Sequence, residues 1–292
     1  MFRRFGPMAF GVILLFATSA RAADLDEIKA RGVLRHLGVP YANFVSGAGD
    51  GMDVELTQAF ARSIGVRYEY VPTDWGAVIA DLTGKKVKVV AGHAEVVADA
   101  PVKGDVVANG FTVLPWRKEV VQFSAPTFPS QIWLVARADS RVRPIEPTGD
   151  IHKDIERTRA LMRSRTVLTV EKTCLDAGLY NLAADGARVV VFNGKLNEVA
   201  PALLNNEAEM TILDVPDALI ALEKWHGKLK ILGPISGNQV MGVAFARNVP
   251  KLLEAYGAFL AQAQRDGSYL RLVRKYYPAA AGYFPEFFKG MR

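Results

Sequence analysis

The sequence predicts an α/β fold with mostly parallel sheets. Short runs rich in β-branched residues alternate with amphipathic helical patterns over most of the 292 residues, and this alternation is typical of strands joined by crossover helices. A chain of this length can form one large domain or two lobes that each have a core. The sequence contains no internal repeat and no low-complexity tract.

The first half of the chain contains a clear helical pattern. Leu56, Phe60 and Ile64 recur at four-residue spacing and would share one face of a helix over residues 53–64. A stretch rich in valine and glycine over residues 85–105 predicts an additional hairpin. The other elements predicted in this half are strands at 33–39, 66–70 and 105–108 and a short helix at 75–82.

The second half continues the alternation and begins with a strand predicted at 132–138. Asp150 directly precedes the next helical pattern and is its expected N-cap, because a carboxylate there accepts hydrogen bonds from unpaired amides. Further strands are predicted at 166–170, 189–192, 210–213 and 240–246, and further helices at 175–184, 196–204, 217–224, 252–265 and 269–276.

The first 22 residues have the pattern of a cleavable signal peptide. Arg3 and Arg4 precede an apolar run over residues 8–17, and Ala20 and Ala22 offer small residues at the −3 and −1 positions of a cleavage site. A membrane anchor is the alternative, but it needs about 18 or more apolar residues. We therefore expect cleavage after residue 22 and a periplasmic location.

The composition argues against several classes of function. Removal of the leader with its three arginines leaves 33 basic and 30 acidic residues, which are interspersed, so binding to nucleic acid or to a membrane surface is not expected. The single cysteine, Cys174, cannot form an intrachain disulfide and lies too far from the leader to carry a lipid anchor. The four histidines are scattered, and no metal, phosphate-binding or nucleophile motif occurs. We expect a monomer with no metal, no cofactor and no catalytic residue.

Two opposite charges that lie far apart in the chain indicate a binding function. Arg117 ends the segment 110–117, and Asp214 follows the strand predicted at 210–213. A guanidinium can bind a carboxylate through two parallel hydrogen bonds, and an aspartate can receive an ammonium group. Together they are what a cleft needs to hold a zwitterion such as a free amino acid.

Seven short motifs follow one another along nearly the whole chain after the leader. They are residues 26–34 (DEIKARGVL), 51–56 (GMDVEL), 73–76 (TDWG), 104–112 (GDVVANGFT), 123–126 (FSAP), 265–270 (RDGSYL) and 275–278 (KYYP). In this order they resemble the family 3 extracellular solute-binding proteins, the periplasmic receptors of polar amino acid ABC transporters. Several motifs in the right order are far more specific than any one of them.

This resemblance implies two α/β lobes of the type II periplasmic binding-protein fold, joined by two crossover hinge segments. Lobe 1 would comprise residues 23–126 and 242–292, lobe 2 residues 132–234, and the hinges residues 127–131 and 235–241. The function implied is a receptor that closes on a small polar solute, in the first instance an amino acid. It would deliver this solute to the membrane permease of an ABC transporter.

In lobe 1 the resemblance assigns ligand contacts to five residues. Arg117 matches the carboxylate-binding arginine of the family, Thr112 a hydroxyl donor to the same carboxylate, and Gly110 a position whose backbone faces the ligand. Tyr41 and Trp75 lie where the family often places aromatic rings against the ligand. The structural alternatives are an exposed arginine, an ordinary turn threonine and glycine, and rings that belong to the core.

In lobe 2 the resemblance assigns two ligand contacts. Thr173 precedes a predicted helix, so its hydroxyl and the first amides would form an anion site, or the residue would simply cap the helix. Asp214 matches the ammonium-binding aspartate, although Asp217 is the alternative residue near the start of the following helix. Lys172 and Cys174 depart from the family pattern, which admits an acidic or larger ligand.

Two other classes of function stay open at this point. Some proteins of this fold are dehydratases that act on cyclic amino acids or their precursors, and Glu171 or Asp214 could serve as the acid. Cys174 could act as a nucleophile only if its position at the start of a helix lowered the pKa of its thiol. The third class is an exported protein that serves a partner protein without delivering solute, and the insertion at 85–105 favours it.

Overall fold

The computed structural model describes residues 21–47, 49–171 and 173–291. Its strands, in chain order, are β1 (Val33–Gly38), β2 (Arg67–Pro72), β3 (Lys85–Val90), β4 (His93–Asp99), β5 (Val106–Val107), β6 (Val121–Phe123), β7 (Phe128–Ser130), β8 (Ile132–Arg137), β9 (Thr166–Thr169), β10 (Arg188–Val191), β11 (Met210–Asp214), β12 (Leu229–Pro234), β13 (Gln239–Met241) and β14 (Ala244–Ala246). Its helices are α1 (Leu25–Arg31), α2 (Met52–Ser63), α3 (Val78–Thr83), α4 (Pro115–Lys118), α5 (Ile151–Ala160), α6 (Val199–Leu204), α7 (Val215–Lys224), α8 (Pro250–Arg265), α9 (Ser268–Tyr276), α10 (Ala280–Tyr283) and α11 (Pro285–Phe288).

Two five-stranded mixed sheets define the two lobes. Lobe 1 has the strand order β2-β1-β5-β14-β6, and lobe 2 has the order β10-β9-β11-β8-β12. Within the described part of each sheet, two pairings are parallel and two are antiparallel. The prediction of mostly parallel sheets is therefore wrong. β8 and β14 follow the passages between the lobes and run antiparallel to both of their neighbours, which periodicity along the chain does not reveal.

A small two-stranded sheet lies where the chain passes between the lobes. β7 pairs with β13 in antiparallel register, so Ser130 faces Gln239 and Phe128 faces Met241. Both strands fall within or next to the predicted hinge segments. The predicted hinge and lobe boundaries themselves stay a prediction.

Several predicted elements form with small shifts in their bounds. The helix predicted at 53–64 is α2, whose Leu56 and Phe60 are buried against the lobe 1 core. Asp150 is the N-cap of α5, because its Oδ1 accepts hydrogen bonds from the amides of His152 and Lys153. The hairpin predicted within 85–105 is the antiparallel pair β3–β4.

Two elements differ from the sequence prediction in kind. The helix predicted at 175–184 is replaced by a 3-10 helix, Ala177–Tyr180, which Asp176 caps and which ends at Asn181 in the left-handed region (φ 52°). The strand predicted at 240–246 is split into β13 and β14. A second 3-10 helix, Leu196–Glu198, precedes α6.

Two parts of the sequence prediction lie outside the described residues. Residues 1–20 of the predicted signal peptide are among them, and so is Lys172. Across the residues that are described, no helix combines the length and the apolar character that a membrane crossing requires.

A buried carboxylate fixes the start of the segment that carries the lobe 1 site residues. Asp105 accepts hydrogen bonds from Arg31 Nη2 at 2.5 Å, from Arg35 Nη2 at 3.1 Å and from the Arg35 backbone amide at 2.7 Å. These contacts join the beginning of β5 to α1 and β1. Because Gly110 and Arg117 follow β5 closely, this cluster determines where their loop leaves the sheet.

We expect Asp105→Asn to lower the free energy of unfolding by about 1.5 to 3 kcal/mol, since it weakens hydrogen bonds to a buried charge. Asp99→Asn is the matched control, because Asp99 pairs with Lys85 where both side chains are exposed, and such pairs contribute about 0 to 1 kcal/mol. Urea denaturation of the two variants checks this. Equal midpoints for Asp105→Asn and the wild type would contradict the positioning role.

Candidate ligand-binding site

The predicted site residues all follow the carboxyl ends of strands, where open α/β sheets bind ligands. Tyr41 follows β1, Trp75 follows β2, Thr173 follows β9 and Asp214 ends β11. The three remaining residues, Gly110, Thr112 and Arg117, follow β5.

Gly110 occupies a position that only glycine fits. Its φ is +63°, and a Cβ atom there would lie 2.3 Å from Cδ2 of Phe44. Its amide donates a hydrogen bond to Oδ2 of Asp53 at 2.7 Å. Burial raises the pKa of Asp53 to about 7, and this hydrogen bond opposes the rise. Gly110 therefore places the β5 loop directly against the core of lobe 1.

Arg117 is a buried cation in lobe 1. Arg117 is 3% exposed. Its guanidinium lies 4.0 Å from the centroid of the Phe111 ring, and its Nη1 donates a hydrogen bond to the Thr112 carbonyl at 2.9 Å. Burial lowers the pKa of Arg117 to about 10, so the group stays charged at neutral pH. Among the described residues Nε has no hydrogen-bond partner, and none of the ion pairs there involves Arg117.

Asp214 is a buried carboxylate in lobe 2. It is the N-cap of α7, because Oδ1 accepts the Asp217 amide at 3.4 Å. Asp214 and not Asp217 therefore caps this helix, and the assignment of the ammonium contact to Asp214 stays a prediction. The Tyr41 hydroxyl, from the other lobe, donates to the same oxygen. Burial raises the pKa of Asp214 above its usual value, and hydrogen bonds from Tyr41 and Cys174 oppose the rise. In the part of the chain that the structure describes, no cationic side chain pairs with Asp214.

Cys174 lies between these two charges. Its thiol donates to Oδ2 of Asp214 at 3.3 Å. Burial raises the pKa of the Cys174 thiol, Asp214 adds to this rise, and Arg117 together with a hydrogen bond to Thr112 opposes it. The direction of this shift argues against the nucleophile alternative. The thiol is buried and lies against Asp214 of lobe 2 and Thr112 of lobe 1.

Thr173 holds the turn that presents Cys174. Its hydroxyl donates to the Val170 carbonyl at 2.8 Å and accepts the Leu175 amide at 3.0 Å. No helix begins here, since the 3-10 helix that follows starts at Ala177 with Asp176 as its cap. The helix predicted directly after Thr173 is therefore wrong, and a ligand contact at this residue stays a prediction.

Three aromatic rings form a continuous wall beside Arg117. The Tyr41 ring lies edge-on to Trp75 at 5.7 Å, and Trp75 stacks on Phe111 at 6.2 Å. Tyr41 also stacks on Phe44 at 6.0 Å. The predicted Tyr41 and Trp75 thus lie next to each other, and Tyr41 is part of both this wall and the lobe 1 core.

The structure adds site residues that sequence reasoning missed. Tyr180 donates to the Cys174 carbonyl at 2.8 Å, and Gln239 of β13 reaches the Tyr180 hydroxyl at 3.4 Å. Phe111, which lies under the guanidinium, stands inside the motif 104–112 and could have been noticed there. Nothing in the local sequence marks Tyr180, because its role depends on a turn that was predicted as a helix.

The lobes are closed over this cluster. Besides the contact between Tyr41 and Asp214, the Ala42 amide donates to Asn197 Oδ1 at 2.9 Å across the lobe boundary. Contacts through Phe111 and Cys174 link five of the predicted residues, Tyr41, Trp75, Thr112, Arg117 and Asp214. Gly110 and Thr173 belong to the loops that carry this group and bond within their own lobes. That they bind a solute stays a prediction.

Comparison with known proteins agrees with this architecture. The model of the bacterial extracellular solute-binding proteins, family 3, matches residues 38–98 and 101–279. The chain belongs to this family. The match includes Tyr41, Arg117 and Asp214.

Characterised relatives of this family 3 chain are distant. It is 24% identical to the L-cystine-binding protein TcyJ of Escherichia coli (strain K12) over 281 residues, which cover 94% of each chain. It is 22% identical over 233 residues to the membrane-bound lytic murein transglycosylase F of Desulfosudis oleivorans, of which 44% is covered.

Solved structures of binding proteins show the same fold. Holo ArgBP from T. maritima has a TM-score of 0.63 at 26% identity, with 86% of this chain and 99% of that chain covered. AncCDT-1, an ancestral amino acid-binding protein described as a precursor of cyclohexadienyl dehydratase, has a TM-score of 0.65 at 25% identity, with 87% and 98% covered. The two-lobed, type II periplasmic binding-protein fold is therefore that of this family 3 chain.

We expect Tyr41→Phe to shift the ligand-free protein towards an open arrangement, because it removes a hydrogen bond between the lobes to a charged acceptor, a contribution of about 1.5 to 3 kcal/mol. The radius of gyration from small-angle X-ray scattering should increase. Tyr68→Phe is the control, since the Tyr68 hydroxyl bonds to His36 within lobe 1 at 2.8 Å and its loss should leave the lobe separation unchanged. An unchanged radius for Tyr41→Phe contradicts the role of this contact in closure.

Proposed function

We propose that the protein is a periplasmic receptor that binds an α-amino acid between its lobes. One observation carries the proposal: Arg117 in lobe 1 and Asp214 in lobe 2 are both buried, and among the described residues neither has a partner of opposite charge. A buried charge without a partner costs several kcal/mol. A zwitterion that lies between them supplies the missing partner to both.

The proposed pose follows from the unused hydrogen-bonding positions. The carboxylate of the ligand would bind Arg117, with the Thr112 hydroxyl beside it. The Gly110 amide already donates to Asp53, so the Gly110 backbone would face the ligand without donating to its carboxylate. The ammonium would bind Oδ2 of Asp214, which has only the Cys174 thiol as a donor, whereas Oδ1 already accepts two hydrogen bonds. A carboxylate has about four acceptor positions, so the ammonium can be added to those bonds.

The remaining predicted residues would enclose the ligand. Tyr41 and Trp75 flank its side chain with apolar ring area. Thr173 closes over it by holding the turn that carries Cys174. Enclosure in a low dielectric strengthens the charged hydrogen bonds, which contribute about 1.5 to 3 kcal/mol each.

Closure would couple binding to delivery. A ligand that contacts both lobes only in the closed state favours that state by its difference in affinity between the open and closed states. The proposed partner is the membrane permease of an ABC transporter, which would recognise the closed monomer. Family membership and the signal-peptide pattern of residues 1–22 support this assignment, and so do the relatives that bind L-cystine and arginine.

We propose binding without turnover. AncCDT-1 connects the fold to a dehydratase, but it is itself an amino acid-binding protein. Glu171, one of the two acids considered for catalysis, is exposed. Asp214, the other, would hold the ammonium of the ligand in the proposed pose.

We expect Arg117→Met to abolish ligand-induced thermal stabilisation and to raise the Kd at least 100-fold, because two charged hydrogen bonds to the ligand carboxylate are lost. The assay is a thermal-shift screen against the L-amino acids, including L-cystine, followed by calorimetric titration of the ligands that bind. Methionine keeps a long apolar side chain in the buried position, so the variant should stay folded by circular dichroism.

Arg247→Met is the matched control for this test. Arg247 is exposed, and its side chain bonds only to the backbone carbonyls of Lys118 and Glu119. Its replacement should leave the Kd within about twofold. Wild-type affinity in the Arg117→Met protein rules out the proposed carboxylate contact.

The proposed export makes a separate prediction. Protein recovered from the periplasmic fraction should begin at Ala23, because cleavage follows Ala22. N-terminal sequencing measures this directly. A mature protein that retains residues 1–22 contradicts the assignment of a cleaved signal peptide.

A further inference from the structure

Asp217 is a second buried carboxylate that the proposed zwitterion site does not use. Asp217 lies in the first turn of α7 and is 8% exposed. Its Oδ2 has no hydrogen-bond partner among the described residues. None of the ion pairs in the described ranges involves it. Burial and the neighbouring charge of Asp214 both raise the pKa of Asp217 above its usual value.

This carboxylate lines a cavity between the lobes. The cavity has a volume of about 260 Å³ and is lined by Ala42 and Asn43 from lobe 1 and by Asn197, Asp217 and Lys224 from lobe 2, among others. Its walls therefore come from both lobes, as expected for space that closure encloses. The hydrogen bond between the lobes from Ala42 to Asn197 lies in the same wall.

Lys224 does not neutralise Asp217. Its ammonium lies 4.8 Å from the centroid of the Trp225 ring, the residue is exposed, and it forms no ion pair with Asp217 in the structure described. Among the described residues Oδ2 of Asp217 has no hydrogen-bond partner, so a cation placed beside it would supply the missing contact.

The number of charged groups at the site indicates which net charge the ligand should carry. Arg117 contributes one positive charge, and Asp214 and Asp217 contribute two negative charges when ionised. A neutral zwitterion leaves one buried negative charge uncompensated, whereas an amino acid with a cationic side chain brings the balance to zero. An amino acid with a cationic side chain would offset the free-energy cost of burying Asp217 without a partner.

The spacing on α7 permits one ligand to reach both carboxylates. Asp214 and Asp217 are three residues apart at the same helix end, where Cβ atoms lie about 5 to 6 Å from each other. The Asp217 amide donates to Oδ1 of Asp214. An amino acid whose ammonium binds Asp214 therefore starts within one side-chain length of Asp217.

We propose that the cavity beside Asp217 is a subsite for a cationic side chain, so that the solute is a basic amino acid carrying a guanidinium or ammonium group. This inference rests on the proposed function, since Asp214 must hold the α-ammonium. Asp217 binds the second cation, and Arg117 binds the carboxylate. The subsite selects against neutral isosteres, because they leave Asp217 buried and unpaired.

The test compares L-arginine with its neutral isostere L-citrulline by calorimetric titration of the full-length mature protein at 150 mM salt. The wild type should bind L-arginine at least tenfold more tightly than L-citrulline. L-lysine and L-ornithine serve as additional cationic probes of different reach. Asp217→Asn should remove most of this preference by weakening L-arginine binding at least tenfold while leaving the Kd for L-citrulline within about twofold.

Glu223→Gln is the matched control variant, because it removes one negative charge from an exposed position of the same helix. It should leave the preference for L-arginine unchanged, which separates the subsite from a general effect of charge. Asparagine is close in size to aspartate and relieves the repulsion within the buried acid pair, so Asp217→Asn should fold. The wild-type comparison alone tests whether a cationic side chain is preferred, and the variant tests whether Asp217 is the residue responsible.

The outcomes separate this inference from the proposed function. Neutral amino acids that bind as tightly as L-arginine, L-lysine and L-ornithine overturn the cation subsite and leave the amino acid receptor intact. A preference for L-arginine that persists in Asp217→Asn also overturns the assignment to Asp217. Failure of every α-amino acid to bind overturns both proposals.

Discussion

The arrangement of this protein depends on two buried opposite charges that face a lobe interface without pairing with each other. Arg117 lies on an aromatic ring in lobe 1, and Asp214 caps a helix in lobe 2. Cys174, a neutral group, lies between them. Buried charges are tolerated only when something compensates them, and the proposed zwitterionic ligand would compensate both.

Each lobe holds its charge on a rigid support. In lobe 1, Asp105 ties the start of β5 to β1, and the close contact of Gly110 with Phe44 sets the path of the following loop. In lobe 2, the end of β11 and the first turn of α7 present Asp214 without any flexible linker.

The contact between Tyr41 and Asp214 gives the closed form a partial substitute for the ligand. A hydroxyl donor satisfies one carboxylate oxygen but supplies no charge, so Asp214 keeps a raised pKa in its presence. Arg117 has no comparable substitute from a carboxylate in the described residues. The proposed ligand would therefore gain the most binding free energy at Arg117, because closure alone leaves this cation buried on an aromatic face.

The sequence alone predicted roughly how the chain is divided into elements and, through the family resemblance, which residues belong to one site. Short local signals mark the strand ends, and the resemblance assigned Tyr41, Trp75, Gly110, Thr112, Arg117, Thr173 and Asp214 to that site. Only the tertiary structure decided that Asp214 and not Asp217 caps α7, that the turn after Thr173 is not a helix, and that β8 and β14 run antiparallel to their neighbours. These outcomes depend on contacts between residues far apart in the chain, such as Tyr41 with Asp214, whose energies the local sequence does not contain.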